Sequence, residues 1–60
     1  MMLEIEKNEN VIFKGNKAEC IDFLNKNGAR VQEDDPLLLV ANIAAMHGFS
    51  IYIRGDIYDG

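Results

Sequence analysis

Few side chains in this sequence could do chemistry, and they do not form a recognisable set. Cys20 is the sole cysteine and His47 the sole histidine. A nucleophilic pair would need the imidazole beside the thiol and a third group to orient it. Cys20 falls instead in an apolar stripe of an expected helix, where a thiol behaves as a small hydrophobe. His47 falls in the last turn of another expected helix, where the helix dipole favours a protonated ring. A structural zinc site takes four nitrogen or sulfur ligands, and one Cys plus one His cannot supply them. Glu33-Asp34-Asp35 is acidic but lacks the spaced ligands and glycine turn of a calcium loop. No phosphate loop or dinucleotide fingerprint is present. The reading is therefore no catalytic residue, no metal and no cofactor.

Arg54-Gly55-Asp56 spells an adhesion tripeptide, with a cation and a carboxylate displayed from opposite sides of a glycine. Gly55 and Asp56 are also ordinary turn residues. Met1-Met2-Leu3 leads straight into Glu4, so no secretory leader is expected. The turn is the preferred reading. The residues around it carry more. Tyr52, Arg54 and Tyr58 are expected near one another on the outward side of the last strand, and Tyr and Arg are favoured in protein interfaces.

The elements that must position these residues are legible. Leu3 and Ile5 alternate with Glu4 and Glu6, and Val11 and Phe13 alternate with Ile12 and Lys14, around a polar turn at Lys7-Asn8-Glu9-Asn10. This pattern predicts a β-hairpin burying Leu3, Ile5, Val11 and Phe13. A helix follows, with Asn16 and Glu19 as a capping box and Gly28 as its stop. Its Cys20, Ile21 and Leu24 face the sheet, with Phe23 beside them. Asp22 and Lys26 form an i, i+4 pair on its wet side. The connector ARVQEDD tucks Val31 inward. Asp35 then caps a second helix with Pro36 as its first residue. Phe49, Ile51 and Ile53 alternate with Ser50, Tyr52 and Arg54 as a final strand, and Ile57-Tyr58 supply either a short fourth strand or a tail.

The second helix, PLLLVANIAAMH, is the most informative segment. At about 100° per residue, Leu39, Val40, Ile43 and Met46 gather on one face. Leu37, Ala41, Ala44 and Ala45 gather on a flatter one. Asn42, with Leu38 beside it, is the only break. A helix apolar nearly all round is normally covered on several sides. The expectation is that Leu39, Ala41 and Ala44 meet a partner chain.

Sixty residues make one domain, residues 1–60, of a size that often needs a partner for stability. Cys20 allows no internal disulfide and agrees with a reducing, cytoplasmic setting. The net charge is −4, and the six basic residues are dispersed, which disfavours direct binding to nucleic-acid phosphates. No apolar run approaches the ~20 residues of a membrane span.

The stretch VIFKGNKAECIDFLNKNG, residues 11–28, resembles short accessory proteins of bacteria and their phages, in which a hairpin ends at a Phe-Lys-Gly corner and a capped helix follows. The resemblance implies a role in binding and inhibiting a host protein, and it carries over no site residue.

These readings converge on an α+β domain of order ββααβ, an antiparallel sheet with both helices on one face. Its expected role is a non-enzymatic interaction module, working as a homodimer or in a tight complex. Two alternatives are a small enzyme subunit or ligand-binding module with an intersubunit site at His47, and an acidic mimic of nucleic acid. The mimic would use Glu4, Glu6, Glu9, Glu33, Asp34, Asp35, Asp56 and Asp59.

Overall fold

The alternation of Leu3 and Ile5 with Glu4 and Glu6 becomes strand β1 (Met2–Lys7), and the hairpin returns along β2 (Asn10–Gly15). Only Asn8 and Glu9 separate them, and both have positive φ, 55° and 69°. Positive φ at both central residues is what a tight hairpin needs if its turn is to follow the strand twist. Asn8 suits that backbone and Glu9 does not, so the turn holds one strained residue. The computed structural model describes residues 1–54. Along them the order is β1, β2, α1 (Lys17–Lys26), α2 (Leu37–Met46) and β3 (Ser50–Arg54), the expected ββααβ.

The sheet order is β2-β1-β3, antiparallel throughout, so the first strand is central. Leu3 lies between Gly15 and Ile53, and Ile5 lies between Phe13 and Ile51. These residues make the helix-covered face. Glu4 lies between Lys14 and Tyr52 on the opposite face. The pairing of β1 with β2 slips by one residue beyond Ile5, which faces Phe13, so that Glu6 faces Val11 and Ile12 is the extra residue. A bulge of this kind breaks the two-residue alternation. That corrects the expected burial of Val11, which sits opposite a glutamate and is 44% exposed.

Helix α1 begins as its sequence requires. The Glu19 N–H donates to Asn16 Oδ1 and the Asn16 N–H donates to Glu19 Oε1, both at 2.8 Å. Cys20, Ile21 and Leu24 are buried against the sheet. Phe23 stacks on Phe13 at 4.7 Å and meets Phe49 edge-on at 5.9 Å. Lys26 Nζ and Asp22 Oδ2 are 3.1 Å apart on the wet side.

Both helices stop in the same way. The Gly28 N–H donates to the Asn25 carbonyl and the Ala29 N–H to the Leu24 carbonyl. The Gly48 N–H donates to the Ala45 carbonyl and the Phe49 N–H to the Ala44 carbonyl. Each is a Schellman stop with glycine at positive φ, 99° and 86°, followed by an apolar residue that turns back into the core. The two ends lie 20 positions apart in the sequence.

After the first stop, Val31 is buried outside any strand. The Asn25 amide takes the place of a strand partner: its Oδ1 accepts from the Val31 N–H at 2.8 Å and its Nδ2 donates to the Val31 carbonyl at 3.0 Å. After the second stop, Phe49 leads directly into β3.

The start of α2 differs from expectation. Pro36 is the cap residue, Leu37 is the first helical residue, and no side chain caps the helix. The Asp35 carboxylate accepts from the Gln32 N–H at 2.9 Å instead, closing the turn before the helix. A short Asx-type interaction has outcompeted the cap.

Candidate interaction surface

Helix α2 shows which of its faces the fold uses. Val40 and Ala44 are fully buried, and Leu37 and Ile43 pack partly against the core. Leu39 and Met46, expected on the same face as Val40, do not share its burial. Leu39 is 42% exposed and Met46 82%. Ala44, expected to meet a partner, is fully buried within its own chain and is not available to one. The small side chain lets α2 lie close on the sheet rather than close to another chain.

What remains outside is an apolar helix face made of Leu38, Leu39, Ala45 and Met46, with Asn42 the single polar residue. Leu38 is 75% exposed. One exposed leucine is unremarkable, but a helix whose solvent side carries three large apolar side chains has the composition of an interface.

Beside it runs a groove. The short connection through Gly48 holds the end of α2 against the start of β3. The opening, about 300 Å³, is lined by Leu37, Leu38, Ala41, Ile51 and Ile53. Ile53 is on the helix-facing side of the sheet, opposite buried Leu3, yet it is 60% exposed because α2 does not reach over it. Ala41, one of the expected contact residues, forms part of the groove wall. No titratable group lines it, so the groove offers shape and apolar contact and no acid or base.

The open face of the sheet has a different character. Glu4 is central there, its side chain 9% exposed. Arg54 Nε is 3.2 Å and Lys14 Nζ 3.7 Å from the same Glu4 oxygen, Oε2. Tyr52 stands directly opposite Glu4 on β3 and is half exposed. Tyr52 and Arg54 thus share the outward side of β3, as expected, with Arg54 held by a carboxylate. Tyr58, Gly55 and Asp56 lie outside the described residues, and so does the expected turn or fourth strand.

The residues singled out for chemistry are apart. Cys20 is buried with its Sγ 3.7 Å from the Gly15 carbonyl, a weak hydrogen bond. Burial pushes its thiol pKa above the ordinary 9.0, and the nearby Glu19 charge adds to the rise. Both effects keep it a thiol, the opposite of what a nucleophile needs. His47 is exposed at the end of α2, about 15 Å of helix rise from Leu37 in the groove. Among the described residues no carboxylate or thiol bonds its ring, and no cluster of three potential metal ligands occurs. Glu4 is occupied by two cations, so the open face is no array of free carboxylates. No described helix is long and apolar enough to cross a membrane.

Sequence reasoning found the excess of apolar surface on α2 and missed the groove. Ile53 carried the signal: an inward position on the last strand that a ten-residue helix, anchored at Gly48, does not cover. No family model, curated protein or solved structure matches the chain.

Proposed function

We propose that this protein is a small non-enzymatic interaction module that binds another protein through the outward face of α2. The observation that carries this reading is Leu38, Leu39 and Met46 standing exposed on a helix whose core contact rests on Val40 and Ala44. An amphipathic helix would place charged residues there. The charge has been left off, and the fold does not need the apolar residues. The partner's complement is an apolar groove or a second apolar helix face. Tyr52 and Arg54 lie on the opposite, open face of the sheet and form a separate candidate contact. The resemblance of residues 11–28 to bacterial and phage accessory proteins suggests the setting: a cytoplasmic host protein whose activity is changed by being bound, with this chain acting as a homodimer or in a tight complex.

Comparative affinity capture from bacterial lysate tests the reading. A protein retained by the wild-type chain and lost with Leu39→Asp/Met46→Glu is the expected result. Both positions are exposed, so the variant should keep its fold, as circular dichroism would show. A folded double variant that captures the same proteins as the wild type would remove α2 from the mechanism.

A further inference from the structure

The two edges of the sheet are not equivalent. Strand β2 carries the devices that discourage strand addition: a bulge at Ile12 and a lysine at position 14. Strand β3 carries neither. It pairs with β1 without a slip from Arg54 to Ser50, contains no proline, and has no charge before Arg54. Among the described residues nothing pairs with its outer edge. An unprotected edge beside an apolar groove would invite aggregation unless it has a defined occupant.

We propose that the occupant is β3 of a second copy, antiparallel and centred on Tyr52, joining two three-stranded sheets into one. The inference rests on the self-association in the reading above and assigns it a surface and a register. The strand reads Ser-Ile-Tyr-Ile-Arg, which is symmetric about Tyr52 in chemical type. Antiparallel pairing about that residue sets Ile51 against the second copy's Ile53, and Ile53 against its Ile51. All four lie on the helix-covered side, because Ile51 and Ile53 already share that side with Ile5 and Leu3. They form one apolar row, roofed by Leu37, Leu38 and Ala41 from each groove. Ala41 is small enough to let the two helices approach. A slip by one residue would turn every isoleucine to the wrong side, so the register is well specified.

Charge agrees. Each copy has net charge −4, but the edge itself carries only Arg54. The register sets Arg54 opposite the second copy's Ser50, whose neighbour in its own sheet corresponds to Glu6. Arg54, already paired with Glu4 of its own chain, meets an uncharged serine there, so the register sets no like charges against each other. A stable interface uses about 800 Å² per partner, close to a fifth of this chain's 4022 Å². The edge, the groove and Leu38 form a continuous strip on which such an area can be assembled. Leu39 and Met46 stay clear of it, so the dimer covers Leu38 but displays these two residues of the outward face of α2 twice.

The test uses the full chain in a Cys20→Ala background. Antiparallel partners stand close enough for a disulfide, so Tyr52→Cys should oxidise to a covalent dimer. Ile12→Cys on the other edge and Met46→Cys on α2 should not. In wild-type protein, sedimentation equilibrium should show a dimer at tens of micromolar. Ile53→Lys should weaken it more than about tenfold, because a lysine would be buried in the isoleucine row, with circular dichroism unchanged. A wild-type monomer at every concentration would overturn the proposal. So would a dimer that tolerates Ile53→Lys, or one that cross-links through position 12 or 46. Dimerisation only after removal of residues 55–60 would give the edge to the chain's own C-terminal segment and overturn it too. A monomer that still captures a partner through Leu39 and Met46 would refute the dimer and leave the interaction module standing. A dimer that captures nothing through them would do the reverse.

Discussion

At the scale of single residues, two glycines constrain the chain for different reasons. Gly48 has φ of 86° and open space where a Cβ would stand. Gly48→Ala should therefore cost about 1 kcal/mol from backbone conformation alone, and Gly48→Asn less, since asparagine enters the left-handed region more readily. At Gly15 the obstacle is crowding. A Cβ would lie 2.9 Å from Glu19 Cβ and 3.1 Å from Phe13 Cε2, pressing on the capping box and the aromatic stack together. Gly15→Ala should cost roughly 1–3 kcal/mol. Urea unfolding of the three variants checks the order. Cys20 makes a prediction in pH. Its thiol pKa is raised in the fold, so the unfolded chain loses this proton first as pH rises. The stabilisation is complete below the unfolded value near 9.0 and is lost as pH climbs through the folded value. Thermal unfolding from pH 8 to 10.5 should fall more steeply in wild type than in Cys20→Ala; equal slopes would refute it. The capping box, the glycine stops and the burial of Cys20 were legible in the sequence because each depends on neighbours within a few positions. The Asn25 amide that serves as Val31's strand partner was not, since six positions separate them and no periodicity marks the pair.

At the scale of elements, the hairpin and α1 were well read and α2 less so. Periodicity identifies an apolar stripe only when polar residues outline it. In α2, Asn42 is the sole polar residue, so several faces looked equally suited to the core. Packing chose the one containing Ala44, because a small side chain lets the helix sit close on the strands. The consequence separates two substitutions that the sequence alone would treat alike. Ala44→Glu places a carboxylate at a fully buried position and should abolish folding, whatever the oligomeric state. Leu39→Asp changes a half-exposed residue and should shift stability by no more than about 1 kcal/mol. Circular dichroism and chemical denaturation of the pair check the difference. An Ala44→Glu protein with native stability would show that α2 is wrongly seated. The bulge at Ile12 has the same lesson for strands. One extra residue reversed the side on which Val11 lies, and alternation counted along a single strand cannot register an insertion relative to its partner.

At the scale of the whole molecule, the surface is ordinary in amount and unusual in kind. A compact monomer of 6.8 kDa is expected to expose about 4000 Å², and this chain exposes 4022 Å². The apolar excess inferred from composition is thus no failure to compact. It is concentrated on α2, in the groove and along β3, where a partner or a second copy can use it. The sheet order has a mechanical consequence as well. The first and third strands are neighbours, and Met2 stands directly across from Arg54. Tension applied through those two residues acts across the antiparallel pair at one end, so its hydrogen bonds load one at a time, like a zipper. Strands pulled lengthwise would share the load among all their bonds. Pulled apart through those two residues, the pair is thus built to part under modest force.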